Sequence, residues 1–359
     1  MRLLALTRYG DLGASSRLRT AQYLPHLRDA GIDIVRHSLL DDDYLRSFYD
    51  GKGAKLSSTG RGYFARWRIL RGLRQFDAVM VEKESFPWLP AISELAYYGG
   101  TPLWLDYDDA VFHRYDQHRF ALVRGILGRK HDVLMRRANL VTVGNAYLGE
   151  RAHAAGCRWV ERVPTVIDID RYRIRSRYCA PDDRVVIGWI GSPSTAVYLQ
   201  LVSPVLQKLA LRHRIRCVAI GARRNQLVGT PFTCSDWRED TEVASLHGID
   251  IGIMPLPDTP WERGKCGYKL IQYMACGLPV VASRVGVNEE IVRHGANGFL
   301  ASSNDEWERA LETLIEDGSM RRSMGMVGRQ RAEEEYCVQV QAPRIAALIK
   351  RLPSSVCVA

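Results

Sequence analysis

Gly264, Lys265, Gly267 and Lys269 place two glycines and two lysines immediately ahead of the apolar run LIQYMA and the turn Cys276-Gly277-Leu278-Pro279. The chemistry open to that arrangement is anion binding. Glycines let the backbone turn tightly, and a helix from about Tyr268 directs its first N–H groups and positive dipole end into the loop. The lysines add two cations, so the group recognised would be a phosphate or pyrophosphate. The same residues also suit an ordinary helix-to-strand connection with exposed lysines, and the segment alone leaves both readings open. After the turn, Val280, Val281 and Ala282 begin an apolar strand, as expected when a helix feeds a parallel sheet.

Other residues capable of chemistry stand where strands are expected to end. Asp106-Tyr107-Asp108-Asp109 follows an apolar run, and an Asp-x-Asp pair there can offer hard oxygens to a divalent cation. Asp108 or Asp109 can equally orient or deprotonate a hydroxyl, or cap the helix expected from Ala110. Glu82 and Glu84, in VEKESFPWLP, have the same address; His113 and His118 lie in the same region, although a lone histidine is more often structural. Two glycine-bearing loops complete the set. One is Gly10, Asp11, Leu12, Gly13, Ala14, Ser15, Ser16, leading into Arg17 and Arg19; the other is Gly191, Ser192, Pro193, Ser194, Thr195. Neither is a GxGxxG fingerprint or a GxxxxGK phosphate loop, which weakens nicotinamide-type and ATPase readings. Each taken singly also fits an ordinary turn with a Ser or Asp cap.

The elements that must position these residues alternate between strand and helix, and the alternation restarts near the middle of the chain. Strands are expected at 2–6, 33–37, 78–82, 103–106, 140–144 and 158–163, with a helix at 17–30, and then again at 185–189, 216–220 and 249–254. Helices in the second series are expected at 194–210, 241–246, 307–316, 320–335 and 342–352. This is the signature of two doubly wound α/β domains. Residues 164–184 are Pro-bounded, charged and weakly periodic, which suits a linker. The expected division is therefore a domain at 1–165, a linker at 166–184, a domain at 185–335 and a final segment at 336–359.

At 359 residues with 46% hydrophobic content, the chain can bury two ordinary cores. No run reaches the roughly 18 apolar residues of a membrane span, and the N-terminus lacks the apolar core of a secretion signal, which points to a cytoplasmic protein. Eight cysteines, at 157, 179, 217, 234, 266, 276, 337 and 357, stand singly without metal-ligand spacing and are expected to be reduced and mostly buried. The net charge of +10 implies an acidic partner. Residues 61–76 and 118–137 interleave arginines with aromatic and aliphatic side chains and read as basic amphipathic helices. They could rest on an anionic membrane surface or pack on a sheet with a solvated arginine face. No nucleic-acid module is present to favour that partner.

With these residues in view, a family resemblance emerges. Residues 237–300, from WREDTEVASLHGIDIGIMPLPDTPWERGKCGYKLIQYMACGLPVVAS onward, resemble the donor half of family 4 glycosyltransferases with the GT-B fold. Residues 140–172 are similar to the stretch that closes the N-terminal domain in that family, and residues 10–19 resemble its glycine loop. The resemblance implies an α/β, GT-B architecture: two Rossmann-like domains facing a central cleft, an N-terminal acceptor-binding domain, a C-terminal nucleotide-sugar donor domain, and a last helix packing back on the first. It also implies retention of anomeric configuration. The family's usual Glu, seven residues, Glu pattern is replaced here by Gly264 and Gln272, and the family's Arg and Lys after the second glycine loop are missing from GSPSTAVYL.

The resemblance assigns the donor pyrophosphate to Gly264, Lys265, Cys266, Gly267, Tyr268 and Lys269, the ribose to Gln272, and the remainder of the donor to Gly191, Ser192, Thr195, Asn288 and Glu290. Gly13 would approach the phosphates from the other domain. Lys269 is the main cation for the departing diphosphate, with Arg223 or Arg224 as helpers, and Glu262 a possible substitute acid. Asp108 or Asp109 falls where many members carry a histidine facing sugar and acceptor. Neither a metal nor another cofactor is expected, because GT-B enzymes manage leaving-group charge with protein cations. The expected activity is transfer from a UDP- or GDP-sugar to a hydroxyl of a lipid-linked or polysaccharide acceptor, at the inner face of the cell membrane. A nucleotide-sugar epimerase and a noncatalytic scaffold of the same fold are the alternatives.

Overall fold

A computed structural model describes residues 1–49, 56–175 and 184–353. Two compact units divide them: one takes Met1–Thr165, Gly264–Cys266 and the chain from Gln341, the other Val166–Arg263 and Gly267–Val340.

In the first unit, alternating apolar runs build six parallel strands: β1 (Arg2–Tyr9), β2 (Asp33–Leu40), β3 (Ala78–Glu82), β4 (Leu103–Tyr107), β5 (Leu140–Val143) and β6 (Val160–Arg162), in the order β2-β1-β3-β4-β5-β6. β3 and β4 are buried along their whole length, as unbroken apolar runs require of strands covered on both faces. Leu4, Leu6, Val79, Val81 and Leu105 from the sheet pack with Leu70 and Leu134 from helices, each such side chain stabilising the fold by about 2 kcal/mol. β1 has β2 on one side and β3 on the other, so the strand order reverses there. The carboxyl ends of β1 and β3 flank the switch point at which open α/β sheets bind ligands.

The second unit repeats the plan with β7 (Val185–Ile190), β8 (Ile215–Ile220), β9 (Phe232–Ser235), β10 (Ile251–Met254), β11 (Val280–Ser283) and β12 (Gly298–Ala301), in the order β12-β11-β10-β7-β8-β9. Counted from β7, that is the order of dinucleotide-binding sheets, and its switch point lies between β7 and β10.

Several elements differ from the sequence expectation. β9 and β12 were not expected, because each is four residues long and lies beside polar or glycine-rich sequence. The helix expected at 17–30 is split into Ala14–Arg19, a 3-10 turn and Leu24–Asp29, and the one at 194–210 becomes a 3-10 stretch, Pro193–Leu201, followed by Ser203–Ala210. Pro25 and Pro204 sit at the start of the second piece in each case; proline has no N–H for the previous turn and suits a helix start. The helix spanning 61–76 is Leu56–Arg71, and its Arg66 is buried, donating to Thr7 O at 2.6 Å and His37 O at 2.9 Å. The stretch 118–137 breaks into Ala121–Leu127 and Lys130–Arg137, with Lys130 buried between Glu84 and Glu94. These two basic residues therefore hold the unit together rather than face a solvent or lipid surface.

Of the segment expected as a linker, 176–183 lies outside the described residues. The described part is hydrogen-bonded into the second unit: Ile167 N donates to Tyr336 O at 3.0 Å, and Arg175 pairs with Asp250 at 2.8 Å. Cys179, Cys357 and the terminal residues 354–359 are also outside the described residues. The other six cysteines are free thiols, five buried and Cys234 half-buried.

Candidate functional site

In the second unit, β7 delivers Trp189 into the core and ends one residue before Gly191, whose N–H donates to Ile220 O at 3.0 Å. A side chain at Gly191 would meet Trp189 Cζ2 at 2.5 Å and Lys269 Cε at 2.7 Å. Glycine there is what lets the lysine stem cross the strand end, with its ammonium 5.5 Å from the centre of the Trp189 ring. Lys269 stands in the first turn of the helix Tyr268–Ala275, which opens from Gly267 at φ 66°, with no side chain capping that end. At this φ a Cβ is disfavoured, and one would also strike Ile291 Cδ1. The arrangement sets a cation and a helix dipole's positive end beside the β7 terminus. Ser192 and Thr195 belong to the turn that follows: the Ser192 and Ser194 hydroxyls are 2.8 Å apart, and Thr195 Oγ1 donates to Ser192 O at 3.1 Å.

Three other residues predicted for the donor, Gln272, Asn288 and Glu262, are buried. Gln272 is buried, and its amide donates to Tyr172 Oη at 3.1 Å; Tyr172 in turn donates to Glu242, which also receives Trp237 Nε1 at 2.6 Å. Tyr268 joins this network through its hydroxyl, 3.1 Å from that of Tyr172. Asn288 is fully buried, donating to Ser283 O at 3.0 Å. Glu262 is buried and accepts from the Tyr198 and Thr259 hydroxyls, so service as a substitute acid would break both bonds. Glu290 is half-buried on the short helix Asn288–Ile291, and Arg223 and Arg224 are exposed at the start of a 3-10 turn. Gly264, Lys265 and Cys266 belong to the first unit, where Asn145 Nδ2 donates to Lys265 O at 2.9 Å and the Cys266 thiol lies 3.0 Å from Asp108 O. Burial pushes the Cys266 thiol up, with Asp108 adding to it.

The first unit gathers a second constellation at its own switch point. Asp108 Oδ1 is 2.6 Å from Lys83 Nζ, Lys83 Nζ is 2.9 Å from Ser15 Oγ, and the Ser15 hydroxyl donates to Asp108 Oδ2. Glu82 Oε2 accepts from Ser16 Oγ at 2.6 Å and from Arg8 N at 3.1 Å. Arg19 grips Asp106 with two bonds, at 2.5 and 2.8 Å, while Thr142 Oγ1 donates to the same carboxylate at 2.5 Å. Burial alone would raise the Asp108 carboxyl, but Lys83 and Arg19 outweigh it and hold it below its ordinary value. Gly13 starts the helix Ala14–Arg19 that carries Ser15, and a side chain there would collide with Tyr9 Cβ. Asp109 is half-buried beside Asp108.

Glu84 is engaged elsewhere: it is buried against Lys130 at 2.8 Å and takes the Tyr115 hydroxyl. His113 is tied to Asp116 at 2.9 Å and the Tyr147 hydroxyl at 2.8 Å, and the His118 ring packs on Trp88. Sequence reasoning named Ser15 only as a loop residue and passed over Lys83. The signal was present, since Lys83 directly follows an apolar strand, the address already given to its neighbours Glu82 and Glu84.

Residues 184–317 match the family described as Glycosyl transferases group 1. The chain is 27% identical over 223 residues to the sulfoquinovosyl transferase of Arabidopsis thaliana, covering 56% of this chain and 42% of that protein. It thus spans less than half the length of this curated relative. Among solved structures, an Anabaena protein, HepE, in complex with UDP superposes with a TM-score of 0.71 at 16% identity, covering 98% of this chain and all of that one. Sucrose-phosphate synthase from Thermosynechococcus elongatus superposes with a TM-score of 0.71 at 13% identity, over 98% of this chain and 99% of the other. These likenesses establish the two-sheet GT-B fold.

Proposed function

We propose, from the match of residues 184–317 to the family described as Glycosyl transferases group 1, that the protein transfers a sugar from a nucleoside diphosphate sugar to an acceptor hydroxyl with retention of configuration. The observation that carries this reading is the seating of Lys269 at an uncapped helix start beside Gly191, at the switch point of the second sheet. A diphosphate leaving group develops negative charge as the sugar departs, and a preorganised cation and helix dipole stabilise it without reorganisation. These groups supply what a metal would otherwise supply, so the reading calls for no metal ion or further cofactor. UDP is the first donor base to test, because HepE is described in complex with UDP. In the first unit, Asp108 would accept a hydrogen bond from the acceptor hydroxyl and orient it.

The test is a thermal-shift screen against UDP, GDP, ADP, dTDP and CMP, run on the wild type and on Lys269→Ala. A ligand that binds only the folded state raises the melting temperature. Stabilisation by one nucleoside diphosphate that is lost in the variant supports the donor site; no response to any of them overturns it.

The acceptor class we propose is a lipid-linked or polysaccharide hydroxyl met at an anionic membrane surface. No helix among the described residues is long and apolar enough to cross a membrane. The supporting feature is instead the helix Ala121–Leu127, where Leu122 (74% exposed) and Ile126 (57%) share one face and Phe120 (54%) precedes it. Arg119, Arg124 and Arg129 are exposed around them, the mix of apolar anchor and cation that suits an anionic interface. Flotation with anionic but not neutral vesicles, abolished by Leu122→Asp with Ile126→Asp, is the expected result; failure of the wild type to float overturns it.

A further inference from the structure

We infer that Lys83 is a positioning residue of the acceptor site, its buried ammonium holding the Asp108 carboxylate and the Ser15 hydroxyl as one oriented unit. This rests on the reading that Asp108 meets the acceptor hydroxyl, and it assigns Asp108 a narrower task than the sequence left open: to accept and aim a hydrogen bond, not to remove a proton.

The backbone is the first ground. Lys83 has φ 67°, one of two non-glycine residues with positive φ among the described residues. That conformation is unfavourable by about 1–3 kcal/mol and persists only where surroundings over-determine it. Here they do: Lys83 N donates to Asp106 O at 2.9 Å, and the Tyr107 hydroxyl donates to Lys83 O at 3.0 Å. Strain at a strand's carboxyl end, beside a cluster of polar side chains, is the usual setting of a site that must hold a side chain in one place.

The second ground is the accounting of charge. Lys83 is 4% exposed, and a cation so far from water needs anions in contact. It has Asp108 at 2.6 Å and Glu82 at 3.6 Å. Arg19, the neighbouring cation, is committed to Asp106. Of the three carboxylates, the side chains of Glu82 and Asp106 are 0% and 2% exposed, whereas that of Asp108 is 12% exposed. Asp108 is therefore the least buried of the three carboxylates, although its Oδ1 is enclosed, and Lys83 is the cation in direct contact with it. Glu82 Oε1 is buried with no hydrogen-bond partner among the described residues, so the cluster has acceptor capacity to keep Lys83 charged. The charged groups acting on Asp108 are Lys83 and Arg19, the Cys266 thiol lies 3.0 Å from Asp108 O, and Glu82 and Asp109 act on the Lys83 ammonium. A carboxylate so placed is a good hydrogen-bond acceptor and a poor base.

The experiment is an NMR titration of the full chain carrying ¹³Cγ-aspartate, with the Asp108 signal assigned by its loss in Asp108→Asn. The wild-type midpoint is expected below the ordinary aspartate value of about 3.9, and Lys83→Gly, which accepts positive φ freely, is expected to raise it by about one unit or more. A wild-type midpoint at or above the ordinary value overturns the inference and needs no variant to fold. A midpoint unmoved in Lys83→Gly also overturns it. UDP-induced stabilisation, measured on the same samples, separates this inference from the reading beneath it. Equal stabilisation of wild type and Lys83→Gly confines the effect to the acceptor side and supports the inference. Loss of stabilisation in Lys83→Gly alone overturns the acceptor assignment, and absence of stabilisation of the wild type by UDP, GDP, ADP, dTDP and CMP alike is failure of the glycosyltransferase reading itself, whatever Asp108 does.

Discussion

The Lys269 ammonium lies 5.5 Å from the centre of the Trp189 ring, and its stem passes Gly191 so closely that a Cβ there would be 2.7 Å from Lys269 Cε. An indole face attracts a cation by about 0.5–2 kcal/mol, enough to bias the side chain toward one orientation but too little to withhold it from a doubly charged ligand. Trp189 and Gly191 together thus preorganise the cation that the first helical turn of Tyr268–Ala275 presents.

If that is their role, Gly191→Ala displaces the lysine without removing it. Affinity for the nucleoside diphosphate that the screen identifies is expected to fall about tenfold, a loss of about 1.4 kcal/mol, and Lys269→Ala is expected to lower it at least as much. Calorimetric titration of both variants checks this. Unchanged affinity in Gly191→Ala would show that the ligand does not depend on the lysine's present path.

Asp108→Asn keeps the shape of the side chain and most of its hydrogen bonds but loses the charge that answers Lys83. Transfer is expected to fall by about 100-fold, within the usual range for a positioned acid–base or orienting group, with the donor Kd unchanged. A rise in donor Kd with kcat preserved would move Asp108 out of the acceptor role.

Arg19 and Asp106 form a buried pair through two hydrogen bonds, at 2.5 and 2.8 Å, and each side chain is 2% exposed. Arg19→Met leaves a carboxylate buried with only Thr142 to answer it, and removal of one partner of such a pair is destabilising by about 3–5 kcal/mol. The double variant Arg19→Met with Asp106→Leu is expected to recover much of that loss. Urea midpoints measured on the two variants decide it; a double variant no better than the single one would mean that the pair's packing, not its charge, matters.

Ten of the twelve strands were legible in the sequence, most of them as largely apolar runs: the expected 78–82 is the observed β3, Ala78–Glu82, to the residue. Pro25 and Pro204 are just as visible, yet their effect on helix continuity was overlooked. Burial of polar side chains was not legible. Gln272 and Asn288 read as ligand-facing from their place in a motif, and only tertiary structure shows that Tyr172 and Ser283 take their amides. Arg66 shows the same limit, since its position in an arginine-rich helix said nothing about the Thr7 and His37 carbonyls that receive it. The place of Lys83 at a strand end was legible, but a sequence carries no sign of which carboxylates the fold will bring to it.

The last prediction concerns acid. His131 is buried beneath Tyr115, its Nδ1 bonded to the Tyr107 hydroxyl at 2.9 Å and its Nε2 without a hydrogen-bond partner among the described residues. Burial lowers it from 6.5 to about 4, against the pull of Glu84 and with help from Lys130, Arg114 and Arg151. An unfolded chain takes up this proton near pH 6.5, whereas the folded chain resists until about pH 4. Between those values the unfolded state binds more protons, so the contribution is fully present above pH 6.5 and drains away as pH falls toward 4, by an amount on the order of 3 kcal/mol. His37 is lowered to about 4 by burial and by Arg66 and acts in the same direction. His131→Gln, which cannot titrate, is therefore expected to flatten part of the fall in melting temperature between pH 6.5 and 4 while lowering the plateau at neutral pH. A variant whose acid profile runs parallel to that of the wild type would show that His131 is already protonated in the folded chain, paired with Glu84 3.8 Å away.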